Sequence, residues 1–105
     1  MDARTRRQFE ARAQILKALA HPTRLFIVDQ LSGKERCVCE LTDMVGADTS
    51  TVSKHLGILK GVGIVLDEKR GTQVFYHLRA PCVLGCLDCV QDVLKETARQ
   101  QAEVV

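Results

Sequence analysis

Five cysteines in a chain of 105 residues form two groups whose spacing points to sulfur chemistry. Cys37 and Cys39 lie in RCVCEL, and Cys82, Cys86 and Cys89 lie in PCVLGCLDCV. Thiolates are soft donors that bind thiophilic ions. An odd number of cysteines cannot be fully paired within one chain, and residues spaced i, i+4 and i+7 share one face of a helix. The pattern therefore favours a thiolate site or thiol redox chemistry over packing alone, although cysteine often packs as a small apolar residue.

The length and charge of the chain limit the classes of protein to which it can belong. A length of 105 residues predicts one domain, residues 1–105, with a modest core. The N-terminal stretch MDARTRRQFEARAQ has no apolar run, and no segment reaches the roughly 20 apolar residues of a membrane span. We therefore expect a cytoplasmic protein with reduced thiols, in which clustered cysteines indicate metal or redox sensing. The net charge of +2 neither requires nor excludes nucleic acid.

Apolar residues recur at helical spacing through the first half of the chain. The apolar stripes and their stop signals predict four helices: residues 7–20, a helix from Pro22 that stops at Gly33, residues 38–45, and a helix from Asp48 or Thr49 that fades at Gly61. In the fourth helix Val52, Leu56 and Leu59 fall on one face, so we expect that face to be buried.

The pattern then changes to the alternation that is typical of strands. Residues 64–66 and 73–78 predict a two-stranded hairpin around a charged loop, residues 67–72. Pro81 opens a last helix, and the polar tail ARQQAEVV is expected to fray. The order of these elements predicts a mainly α winged helix-turn-helix with about five helices, in which the hairpin is the wing.

A helix-turn-helix places its second helix in the DNA major groove, with the N-terminal residues toward the base edges. In this chain that segment is DTSTVSKHLGILK. The candidate DNA contacts are the polar residues that its apolar stripe leaves free and the two cations of the hairpin loop: Thr49, Ser50, Thr51, Ser53, Lys54, His55, Lys69 and Arg70. A solvated helix face and turn would look similar, so the order of elements carries more weight than these side chains.

Three stretches carry a specific resemblance to a known family: LKALAHPTRLFIVDQL, CVCELTDMVGADTSTVSKHLGILKGVGIV and EKRGTQVFYHL. They resemble the ArsR/SmtB family of metal-responsive repressors, over about residues 13–90. The resemblance implies a homodimer formed through the first and last helices, here about 7–20 and 81–97. It also implies that the protein is not an enzyme, that it binds double-stranded operator DNA, and that it releases the DNA on binding a metal or metalloid.

The cysteine box departs from the pattern of the arsenic-responsive branch that it otherwise resembles. That branch carries a third cysteine three residues after the second, where this chain has Thr42. A hydroxyl is a poor substitute for a soft donor, so Cys37 and Cys39 alone are one ligand short for As(III) or Sb(III). Either a last-helix cysteine of the same or the partner subunit completes the site, or Cys82, Cys86 and Cys89 bind the metalloid without the box.

Other functions stay open or are disfavoured by particular residues. Four thiolates could hold Cd(II), Pb(II) or Zn(II), and two could form the disulfide or polysulfide of a redox-responsive repressor. The zinc site of the SmtB branch needs histidine on the last helix, which has Asp88 and Asp92 but no histidine. The C-x-x-C spacing of Cys86 and Cys89 falls in mid-helix with no positioned base, which disfavours a small thiol enzyme.

Overall fold

A computed structural model describes residues 1–104, with five helices and three short strands. In chain order these are α1 Ala3–Leu19, α2 Pro22–Gln30, β1 Arg36–Cys37, α3 Val38–Val45, α4 Thr49–Gly61, β2 Val65–Arg70, β3 Gln73–Leu78 and α5 Val83–Val104. The predicted winged helix-turn-helix architecture is confirmed, with one additional strand. Within the described residues, none of the helices combines the length and apolar character that crossing a membrane requires.

Side-chain caps set where the helices begin. Asp2 accepts a hydrogen bond from the Thr5 backbone N–H at 2.7 Å, so α1 begins at Ala3, four residues before the predicted start. The predicted start lay too far along the chain because it followed the apolar stripe from Phe9. An acidic cap can begin a helix even where the residues that follow it are polar. Gly46 ends α3 in the left-handed conformation, with φ 77°, as its place after the apolar stripe indicated.

The core lies where α2, α3 and α4 pack against each other and against β2. Its largest fully buried side chains are Ile27, Val28, Leu31, Leu41, Val52, Leu56, Leu59 and Val65. The predicted burial of Val52, Leu56 and Leu59 is confirmed, so the opposite face of α4 is left to solvent.

The sheet is antiparallel, with strand order β1-β3-β2. β2 pairs with β3 from Val65 opposite Leu78 to Arg70 opposite Gln73. The predicted charged loop, residues 67–72, is wrong, because the strand continues to Arg70 and only Gly71 and Thr72 form the turn. Backbone pairing does not depend on side-chain polarity, and charged side chains are tolerated on an exposed strand.

The last helix begins later and ends later than predicted. It starts at Val83, leaving Pro81 and Cys82 in the preceding turn, and it continues to Val104. The tail was expected to fray, but Arg99 pairs with Glu96 and Glu103 at i, i+3 and i, i+4 spacing, which supports a helix. Large apolar side chains of α1 and α5 are exposed in the single chain: Phe9, Ile15, Leu16, Val90, Val93 and Leu94.

Candidate functional site

The exposed face of α4 carries the predicted DNA-contact residues. Asp48 caps the helix by accepting from the Thr51 backbone N–H at 2.7 Å and from the Ser50 hydroxyl at 3.0 Å. The hydrogen bonds from Thr51 lower the pKa of Asp48 below its ordinary value, so the cap stays ionised. The other polar candidates on α4 are exposed around this cap: Thr49, Ser53 and Lys54. They form a small, hydrogen-bonding surface that can approach a groove.

His55 differs from the others, because its ring is half-buried instead of facing outward as predicted. It lies 4.5 Å from the ring of His21, which caps α2, and Arg24 Nη1 is 3.3 Å from its Nδ1. Burial lowers the pKa of His55, and the neighbouring His21 and Arg24 lower it further. No sequence signal indicates this contact, since Arg24 and His55 are 31 residues apart. The cluster joins the start of α2 to the middle of α4.

The folded protein is expected to lose stability as the pH falls below 6.5, because the pKa of His55 is depressed from that value. The unfolded chain then takes up the proton more readily, so the stability present above pH 6.5 is lost as the pH falls through the lower folded-state pKa. Urea unfolding between about pH 7.5 and about pH 5.5 measures this. His55→Gln should flatten the dependence. A parent protein with flat stability over that range would contradict this role.

The two cations of the wing that were predicted to contact DNA differ in their partners within the protein. Lys69 is exposed, and no ion pair is found for it within residues 1–104. Arg70 donates to Glu35 and Glu68, and its hydrogen bonds to Glu35 lower the pKa of that carboxyl. Sequence reasoning missed Glu35, because it lies 35 residues before its partner and carries no local signal.

The cysteine box lies at the start of α3. Cys37 caps the helix, its Sγ accepting from the Glu40 N–H at 3.3 Å while Glu40 Oε1 accepts from the Cys37 N–H at 3.2 Å. Cys37 is only 4% exposed, whereas Cys39 is exposed. We expected free thiols, but the two residues form a disulfide, with Cα atoms 5.3 Å apart. The extended backbone of Cys37 before the helical turn allows this separation, which a disulfide can span.

A cleft of about 360 Å³ lies between the box, α4 and the wing. It is lined by Cys37, Val38 and Cys39, by Thr49 and Ser53 of α4, and by Thr72, Gln73 and Val74 of the wing. Cys37 also pairs with Phe75 of β3 across the sheet. The box therefore borders the same cleft as α4 and the wing, and its backbone pairs directly with the wing strand β3.

The last-helix cysteines lie apart from this cleft. Cys82, Cys86 and Cys89 are exposed, and Cys86 lines an apolar groove between α1 and α5 together with residues such as Leu16 and Leu94. Within the described residues, no group of three or more His, Cys, Asp or Glu side chains could hold a metal ion. A single chain therefore assembles neither of the two predicted three-thiolate sites.

Thr42, which replaces the third cysteine of the box, has a buried hydroxyl for which the described residues offer no hydrogen-bond partner. Because an unsatisfied buried hydroxyl costs about 1–3 kcal/mol, Thr42→Val is expected to preserve or raise the free energy of unfolding. Thr42→Ser is the matched control. It keeps the hydroxyl and deletes the methyl group of a half-buried residue, so it should destabilise by about 1 kcal/mol or less. Urea unfolding measures both, and a valine variant less stable than the serine variant would show that the hydroxyl has a partner.

Comparisons with known proteins agree with this architecture. The profile of the family described as "Bacterial regulatory protein, arsR family" matches residues 21–66. The transcriptional repressor SmtB of Mycobacterium tuberculosis is 45% identical over 69 residues, which are 66% of this chain and 51% of SmtB. The chain thus spans about half the length of that repressor.

Two solved structures extend the likeness to almost the whole fold. The crystal structure of M. tuberculosis Rv0081 has a TM-score of 0.80 and 30% identity, and the match covers 90% of this chain and 96% of that one. A solution structure from Mycobacterium bovis, Mb0332, described as a homodimeric winged helix-turn-helix DNA-binding domain, also has a TM-score of 0.80 and 30% identity, with 95% and 93% covered. The chain therefore belongs to the ArsR/SmtB family of bacterial winged helix-turn-helix proteins, a family of transcriptional regulators and not of enzymes.

Proposed function

We propose that the protein is a homodimeric repressor that binds double-stranded operator DNA and releases it when As(III) or Sb(III) binds its cysteine thiolates. The cleft that joins the cysteine box to α4 and the wing is the observation that carries this proposal. As a regulator of bacterial promoters the protein acts in the cytoplasm, and residues 1–105 work as one DNA-binding and sensing unit.

In this proposal the N-terminal half of α4 reads the major groove. Thr49, Thr51 and Ser53 offer hydrogen bonds to base edges and phosphates, and Lys54 adds a positive charge. Short side chains let the helix backbone approach the groove closely. Lys69 at the wing contacts the phosphate backbone. Ser50 is also exposed, with its hydroxyl bonded to the cap residue Asp48, whereas His55 supports this surface by packing against His21 at the start of α2.

The dimer is formed through the apolar faces of α1 and α5. Leu16 is 56% exposed and Leu94 is 60% exposed in the single chain, and both border the groove between the two helices. Contiguous exposed apolar side chains of this kind indicate an interaction surface. A two-fold dimer places two copies of α4 on successive major grooves, which suits an operator with two-fold symmetry.

The donors of the box fit a thiophilic ion in part. In the reduced protein Cys37 and Cys39 are close enough to chelate one ion, and trivalent arsenic binds a third thiolate in a pyramid. Cys82, Cys86 or Cys89 of the same or the partner subunit supplies that thiolate, since Thr42 cannot. The disulfide must first be reduced by thiol–disulfide exchange with a cellular dithiol, which supplies two electrons and two protons and becomes a disulfide itself.

Binding of an ion to the box alters α3 and the wing because Cys37 is bonded to both of them. Its sulfur caps α3, and its backbone pairs with the wing strand. A ligand on this sulfur competes with the Glu40 N–H and shifts the start of α3 against α4 and β3. The effector weakens DNA binding only to the extent that it binds the altered shape more tightly than the DNA-bound shape.

One titration tests the proposal and separates its alternatives. Reduced protein on its own promoter DNA is challenged in a gel-shift assay with arsenite, antimonite, Cd(II), Pb(II), Zn(II) and polysulfide. Release at the lowest concentration of arsenite or antimonite supports the proposal. Release by Cd(II), Pb(II) or Zn(II) alone indicates a thiolate sensor of other metals, and release by polysulfide alone indicates a redox-responsive repressor. Single serine variants at Cys82, Cys86 and Cys89 then identify the third donor.

A further inference from the structure

The wing carries a clasp of charged side chains, which we define as Arg70, Glu35 and Glu68. Arg70 donates to both carboxylate oxygens of Glu35, at 2.5 and 2.9 Å, and to Glu68 Oε2 at 2.7 Å. Its guanidinium carbon also lies 4.7 Å from the centroid of the Phe75 ring. Arginine suits this arrangement because its planar fork accommodates a carboxylate in two hydrogen bonds while one face stacks on an aromatic ring.

The clasp holds a part of the hairpin that the sheet does not support. Within residues 1–104 the short strand β1 pairs only with Tyr76 and Phe75, so no third strand lies beside the outer hairpin, residues 69–74, in that range. A two-stranded hairpin is only marginally stable by itself. Glu35 lies directly before β1, so its bond to Arg70 ties the end of β2 to the segment that leads into the cysteine box.

The charges within the clasp argue against a phosphate contact by Arg70. One guanidinium and two carboxylates give the clasp a net charge of −1 (one positive and two negative side chains). Phosphate would have to displace at least one carboxylate that already fills the fork of Arg70. Lys69, the adjacent residue, carries no such partner within the described chain.

We propose that Arg70 is a positioning residue that holds the wing against the body of the protein, and that Lys69 alone makes the phosphate contact of the wing. This inference rests on the proposed function, because it assigns roles within the DNA complex. It replaces the sequence-based prediction that both cations contact DNA.

Glu35→Gln tests the inference by the sign of its effect. Removing a negative charge near DNA strengthens binding if electrostatic attraction alone matters. Loss of positioning instead weakens operator binding, by about two- to fivefold, the range expected for an exposed ion pair. The dependence of log K on log salt should keep its slope in Glu35→Gln. In Lys69→Gln the slope should fall by about 1.8, or about 0.9 for each of two subunits.

A charge exchange separates positioning from direct contact. Glu35→Arg combined with Arg70→Glu keeps opposite charges in the clasp and the same net charge, and it should bind operator within about twofold of the parent, well within one ion pair's contribution. Arg70→Gln alone should bind more weakly than the exchange variant. An exchange variant that binds as poorly as Arg70→Gln, or a Glu35→Gln variant that binds more tightly than the parent, overturns the inference.

A second readout needs no DNA. Glu35→Gln in the free protein is expected to speed amide hydrogen exchange in residues 69–74 by about two- to fivefold, because the ion pair no longer holds them. Unchanged exchange overturns the positioning role. A parent protein that binds no promoter DNA at any salt concentration refutes the proposed function instead. In that case the hydrogen-exchange measurement still shows whether Arg70 and Glu35 hold the wing in place.

Discussion

Leu94→Asp is expected to convert the dimer into monomers and to lower operator affinity by about 10²- to 10⁴-fold. Leu94 is 60% exposed in the single chain, on the apolar face of α5 that the second subunit covers in the proposed dimer. The substitution buries two unpaired carboxylates at a two-fold interface, which is strongly unfavourable. A monomer binds only one half-site of the operator. It therefore lacks the added affinity that comes from linking two binding events, and this accounts for the size of the effect.

Sedimentation equilibrium and fluorescence anisotropy with labelled operator measure the two consequences. Leu66→Asp is the matched control for oligomeric state, since Leu66 is also an exposed leucine but lies on β2 and does not line the groove between α1 and α5. The control should remain a dimer. If Leu94→Asp also sediments as a dimer with unchanged operator affinity, the subunits do not associate through α5.

Leu56→Ala is expected to lower the free energy of unfolding by about 2–5 kcal/mol, the usual range for a fully buried leucine. Leu56 is 0% exposed and lies at the centre of the α4 face that packs on the core. Ile58, two residues further along the same helix, is 44% exposed, so Ile58→Ala should cost less than about 1 kcal/mol.

Urea unfolding at one fixed protein concentration measures both variants, because the stability of a dimer depends on concentration. Equal losses in the two variants would mean that α4 is not packed by the Val52, Leu56 and Leu59 stripe, and the reading face would then be misassigned.

The fold was largely predictable because its signals are local. The stripe of Val52, Leu56 and Leu59 identified the buried side of α4, and Gly46 marked the end of α3. Where local signals conflicted, the prediction was wrong. The start of α1 was predicted from the apolar stripe at Phe9, although the helix begins after the cap at Asp2. Residues 67–70 were predicted as a loop because they are charged, although they belong to β2. The strand β1 has two residues and is too short to show a period.

The candidate site was predictable only as far as residue type and spacing reach. Cys37 and Cys39 stood out as possible ligands, but the cleft that they share with α4 and the wing arises from the packing of separate segments of the chain. The same holds for the half-buried ring of His55 and for the bond between Arg70 and Glu35. His55 and Arg70 each contact a residue about 30 or more positions away in sequence. Helical and strand periodicity do not predict contacts at that separation.

An ion held by Cys37 and Cys39 weakens operator binding in the proposed mechanism, and operator anisotropy of a Cys37→Ser/Cys39→Ser variant measures whether the two thiols are required. The reduced parent protein is expected to lose affinity for operator by about 5- to 150-fold when arsenite is added. The double variant should bind operator with nearly the affinity of the parent and show no loss with arsenite. If the double variant releases operator at the same arsenite concentration as the parent, this mechanism is wrong.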